Sequence, residues 1–150
     1  MSNEFLLSKS EKEFLTKFRV ARIATLDPVN NFPHIIPICY GFDGNNFFTT
    51  LRNTSKRLQN INKGSKVSLL FDEYVENNEK WITLRGILIN VTISILNYQD
   101  HLERFMKGWK QLIEKYPQYK TWAQEDVSPT DPITRRIMQM NPIHKISWGF

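Results

Sequence analysis

The chain has 150 residues, 41% hydrophobic and 23% charged, the size and make-up of one globular domain. Ten Phe, five Tyr and four Trp supply bulk for a sizeable core, and these proportions exclude a disordered chain, a collagen-like repeat and a coiled coil. Twenty Lys and Arg against fifteen Asp and Glu give +5, and the acid-free segment Arg52 to Lys66 holds all of that surplus in Arg52, Lys56, Arg57, Lys63 and Lys66.

Ser10 and Glu13, three apart, read as a capping box, and Phe14, Leu15 and Phe18 follow on one helical face before Arg19. Val20 to Leu26 is an apolar, β-branched run that stops at Asp27-Pro28. The loop to Pro33 has the composition of a hairpin connection. His34 to Tyr40 is a second strand, in which Pro37 demands an open flank or a bulge. Asp43-Gly44 is a turn signal, and Asn46 to Thr50 forms a third strand. Thr54 or Ser55 caps a helix running to about Lys63, with Leu58 and Ile61 inward and Gly64 ending it.

Lys66 to Phe71 reads as a strand, Asp72 to Glu79 as an acidic loop, and Lys80 to Ile95 as a long strand or strand pair. Asn97 to Lys115 is the longest helix candidate, with Leu102, Phe105, Trp109, Leu112 and Ile113 on one stripe and Pro117 beyond its end. Tyr116 to Pro132 reads as irregular, Arg135 to Met140 as a helical turn, and Ile143 to Trp148 as a last short strand. The expected organisation is a single domain: an N-terminal helix over 1–18, a barrel core over 19–95, a helical excursion over 96–140 and a C-terminal strand over 141–150.

A local surplus of positive charge points to a phosphate-sized anion site, whereas a uniformly basic chain would suggest general polyanion binding. Thr49, Thr50, Ser55, Lys56 and Arg57 place hydroxyls, an ammonium and a guanidinium together at a predicted helix start, the donor set that a phosphate needs. A solvated helix face is the competing reading for Lys56 and Arg57. Cys39, the one cysteine, excludes an intrachain disulfide and reads as a buried thiol. Three scattered histidines, with no Glu or Cys at ligand spacing, argue against a metal site. No run approaches the roughly 18 apolar residues that span a bilayer, and residues 1–12 lack the marks of a signal peptide. A cytoplasmic protein without a membrane partner is therefore expected.

Six segments, in order, carry a resemblance: Arg19–Asp27, Pro33–Ile38, Phe48–Thr50, Ser55–Ile61, Lys66–Leu70 and Leu84–Gly86, with Ile146–Phe150 at the close. Together they resemble the pyridoxamine-phosphate-oxidase-like split-barrel superfamily that binds FMN and F420, and within it the group of F420-dependent enzymes. The resemblance implies a mainly β fold, a six-stranded antiparallel split barrel with flanking helices. It also implies a homodimer with two cofactor sites at the interface.

By the same resemblance, Ser55, Lys56 and Arg57, with Thr49 and Thr50, hold the phosphate of FMN or, alternatively, F420. The flavin ring falls to the strand around Ile36, Pro37 and Ile38, and Trp81 and Trp148 cover the ring or pack against it, from either subunit. The implied function is an oxidoreductase passing hydride between the cofactor and a small-molecule substrate, with no protein acid or base singled out as catalytic. A non-catalytic carrier or sensor shares every binding residue, and a nucleic-acid-binding barrel is the more distant alternative. The vitamin oxidases of the superfamily carry Arg then Lys on the second strand; His34 to Tyr40 has neither, which argues against that activity.

Overall fold

The computed structural model describes residues 5–76, 84–119 and 135–150. In chain order the elements are α1 (Lys9–Lys17), β1 (Ala21–Leu26), β2 (Pro33–Ile38), β3 (Gly41–Phe42), β4 (Phe47–Arg52) and α2 (Lys56–Asn62). They continue with β5 (Val67–Tyr74), β6 (Leu84–Leu96), α3 (Leu102–Lys115) and β7 (Arg135–Trp148). All strand pairs are antiparallel, in the order β2-β1-β5-β6-β7-β4-β3.

The two edge strands, β2 and β3, are joined only by Cys39 and Tyr40, so the sheet must curl back on itself. At that seam the Thr49 hydroxyl donates to the Cys39 carbonyl (2.8 Å), the Tyr40 N–H to the Tyr116 hydroxyl (3.2 Å) and the Tyr40 hydroxyl to the Leu15 carbonyl (2.6 Å). Side chains thus satisfy backbone groups that no strand partner reaches. This is the expected mainly β split barrel, with seven strands where six were expected; the addition is the two-residue β3 against the start of β4. Being an edge strand, β2 accommodates Pro37, which needs no outward N–H.

Alternation along β4 sorts its side chains between two cores. Phe47 and Leu51 enter the barrel core with Ile23, Leu69, Phe71, Ile87, Ile89 and Met138. Phe48 instead meets Phe105, Trp109, Leu112 and Ile137 beneath α3. Gly108 lets α3 approach that closely, since a Cβ there would lie 2.8 Å from the Phe48 ring and 2.9 Å from Ile137 Cγ2.

Several local expectations need correction. The capping box is Ser8 with Glu11, one turn-half earlier than Ser10 with Glu13, because Lys145 also reaches the Glu11 carboxylate (2.5 Å) and fixes the helix start. Arg135 to Met140 is no helical turn but the first half of β7, held by register with β4 and β6. The strand β5 extends to Tyr74 into the expected acidic loop, because Asp72, Glu73 and Tyr74 pair with Gly86, Arg85 and Leu84. Leu102 leaves the α3 stripe and is 50% exposed, while Gly108 joins it. In β7 the register slips opposite Asn90 and Val91, leaving Ile143 as the extra residue beside Pro142. Among the described residues no helix is long and apolar enough to cross a membrane.

Candidate anion and cofactor pocket

A cavity of about 370 Å³ opens where the start of α2, the end of β4, the seam and the start of β7 converge. Pro37, Ile38 and Cys39 form one wall, Thr49, Thr50, Leu51 and Arg52 another, and Thr54, Ser55, Arg57, Tyr119 and Arg135 complete it. Of the residues singled out in the sequence, Thr49, Thr50, Ser55, Arg57, Pro37 and Ile38 meet here. Sheet geometry explains the meeting, because Thr50 and Arg52 follow Phe48 on the α3 side of β4, and Arg135 lies directly opposite Arg52.

The electrostatics are one-sided: among the described residues three guanidiniums line the pocket and no carboxylate does. The Arg57 side chain is half-buried, and one terminal nitrogen donates to the Thr50 carbonyl (2.8 Å). Its Nε is buried without a hydrogen-bond partner. Burial pulls the Arg57 guanidinium below its ordinary value, partly opposed by the phenol of Tyr119. Arg135 is pulled down by burial and then by the positive charge of Arg52. Burial raises Tyr119, against a hydrogen bond with the Thr50 side chain that lowers it. A desolvated guanidinium with an unused donor and, among the described residues, no counter-charge is the chemistry that a bound phosphate or carboxylate completes.

The hydroxyls do more to shape the pocket than to supply free donors. Thr49 is buried with its hydroxyl committed to the seam, and the Ser55 Oγ caps α2 by accepting from the Leu58 N–H (3.3 Å). The seven-residue α2 is short, so the guanidiniums carry most of the anion attraction.

Lys56 does not line the cavity. Its ammonium pairs with Asp27 (2.9 Å), whose carboxylate is held below its usual range chiefly by hydrogen bonding to Lys56 and also caps the β1–β2 turn at Val29. Ile36 packs against the barrel core and is not a wall residue. Trp148 sits over Gly86 at the far end of β7 from Arg135, away from this pocket in the single chain. Trp81 lies outside the described residues.

Sequence reading did not single out Arg135 or Tyr119, and counted Arg52 only toward the charge. Arg85 lies outside the pocket and pairs with Glu73 (2.5 Å) between the rings of Phe14 and Phe150.

A split barrel with a basic pocket at its seam defines the class of fold that the resemblance implies. The family model for pyridoxamine 5'-phosphate oxidase matches residues 7–143, and the chain belongs to that family. No curated relative matches the sequence significantly.

Among solved structures, the heme storage protein HutZ of Vibrio cholerae superposes with a TM-score of 0.73 at 14% identity, covering 97% of each chain. A FAD-binding protein of Mesorhizobium loti gives 0.67 at 16% identity, over 93% of this chain and 92% of its own. An F420 reductase gives 0.64 at 14% identity, over 93% and 98% respectively. At these identities the likeness is one of fold.

Proposed function

We propose that the chain is a flavin- or deazaflavin-dependent oxidoreductase that binds FMN or F420 at the seam pocket and exchanges hydride with a small molecule. The observation that carries the reading is the buried, unpartnered Nε of Arg57 in a pocket lined, among the described residues, by three arginines and no acid. Arg57 holds the cofactor phosphate, Ser55 and Thr50 border it, and the outward edge of β2 beside Pro37 and Ile38 takes the polar rim of the ring. When bound, the cofactor supplies a ring that accepts or releases hydride. The protein orients that ring, withdraws it from water and fixes its charge environment, so no side-chain acid or base is required for the transfer itself.

Two copies complete the assembly in this reading. Tyr74, Leu84, Ile146 and Trp148 are exposed apolar side chains on neighbouring strands. Such a patch suits a partner subunit, whose own pocket Trp148 would then reach.

The test is titration of the cofactor-stripped protein with FMN and F420, followed by anaerobic reduction and mixing with electron acceptors. Binding at one per chain, with reoxidation faster than that of free cofactor, supports the enzyme. Binding without acceleration would make the protein a carrier.

A further inference from the structure

Charge counting takes the pocket beyond a single phosphate. A phosphate monoester carries about −1.5 to −2 at neutral pH. The three guanidiniums of Arg52, Arg57 and Arg135 therefore exceed it by roughly one charge. Arg57 stands apart from the other two: it comes from α2, and its terminal nitrogen is tied to the β4 backbone.

Arg52 and Arg135 are instead direct cross-strand partners on β4 and β7. Directly opposed residues of an antiparallel pair project to the same face with their Cβ atoms about 4.5–5.5 Å apart, and like charges in that arrangement repel. Among the described residues no carboxylate pairs with either one. A repulsive pair on the wall of a ligand pocket is relieved by an anion lying between its members.

We propose that Arg52 and Arg135 form a second anion subsite, so that the ligand of this pocket carries a further anionic group besides the phosphate at Arg57. The inference rests on the cofactor reading above and narrows it. A flavin with a diphosphate, such as FAD, or a deazaflavin with a phosphodiester and an acidic tail, such as F420, satisfies both subsites. FMN satisfies one. Burial, and then the charge of Arg52, pull Arg135 down, in keeping with two cations held side by side.

The experiment compares thermal protection by inorganic pyrophosphate and by inorganic phosphate, at equal concentration and ionic strength. It uses the wild type, Arg135→Gln, Arg52→Gln and Arg57→Gln. Pyrophosphate should raise the wild-type Tm more than phosphate does. Arg135→Gln and Arg52→Gln should each remove that excess while keeping the phosphate response, and Arg57→Gln should weaken both. With repulsion relieved, the ligand-free Arg135→Gln protein should melt above wild type, which also establishes that it folds.

Equal protection by the two anions, or equal loss of both in Arg135→Gln, would overturn the second subsite. Fluorescence titration with FMN, FAD and F420 then separates the sources. FAD or F420 should bind at least about tenfold tighter than FMN, a preference lost in Arg135→Gln. A pyrophosphate preference without binding of any flavin or deazaflavin would sink the cofactor reading and leave the subsite standing. Tight FMN binding without any pyrophosphate preference would do the reverse.

Discussion

Lys115, at the end of α3, is the residue whose surroundings oppose its own charge. Its ammonium lies 3.7 Å from the centre of the Tyr40 ring and reaches the Leu15 carbonyl at 3.4 Å, with no carboxylate paired to it among the described residues. Burial, and then repulsion from Arg19, lower its pKa to about 7. Between about pH 7 and the ordinary lysine value the unfolded chain holds a proton that the folded chain has released. Stability from this group therefore rises with pH across that window. A Lys115→Met variant should be more stable than wild type at pH 6, with the advantage narrowing toward pH 10, as urea unfolding at several pH values will show. A pH-independent difference would mean that the amine stays charged throughout. Neighbouring Lys56 and Arg57 diverge just as sharply, one drawn to Asp27 across the β1–β2 turn, the other turned into the pocket. Their chemistry was legible in sequence. Which of them meets an acid was not, because Asp27 approaches only through the fold.

At the scale of elements, the helix–sheet contact under α3 shares its core with Tyr119, a wall residue of the pocket. Gly108→Ala sets helix propensity against space. Alanine returns about 1 kcal/mol as a helix former, while forcing a methyl into a packed core costs about 1–3 kcal/mol. Phe48 and Ile137 are both fully buried and have nowhere to move, so the clash should win by about 1 kcal/mol and lower the Tm. A variant that melts at or above wild type would show that α3 can lift from β4. Periodicity made most elements readable: the apolar runs of β1 and β5, the α3 stripe apart from Leu102, and the turn at Asp43-Gly44 stand in the structure. It failed at Arg135 to Met140, where the strand is imposed from outside by pairing with β4 and β6. The same failure hid Arg135 from the site, since its place opposite Arg52 is a matter of register between distant segments.

On the scale of the whole molecule, the barrel leaves an apolar surface on the outer face of β5, β6 and β7. Tyr74 opposes Leu84, and Trp148 and Ile146 continue the same outer face, with Ile146 65% exposed. If two copies meet there, as proposed, Ile146→Glu should convert a dimer into monomers in light-scattering chromatography and weaken cofactor binding with it. A wild-type protein that elutes as a monomer would remove the dimer and any role for Trp148 at the ring. The family was legible from ordered segments that each say little alone, because a split barrel is specified by the sequence of its strands and turns. The pocket was half legible: hydroxyls and bases near α2 announced an anion, while its opposite wall depends on closure of the sheet.

In the proposed function, Arg57 supplies the unpaired charge that a cofactor phosphate completes. That role is tested most directly by titrating wild type, Arg57→Ala and Lys56→Ala with FMN and F420 under one buffer. Loss of a charge-assisted contact of about 1.5–3 kcal/mol predicts affinity about 10- to 150-fold weaker in Arg57→Ala. Lys56→Ala, which breaks the ion pair with Asp27 outside the pocket, should stay within about threefold of wild type. Unchanged affinity in a folded Arg57→Ala protein, or a larger loss in Lys56→Ala, would contradict the account.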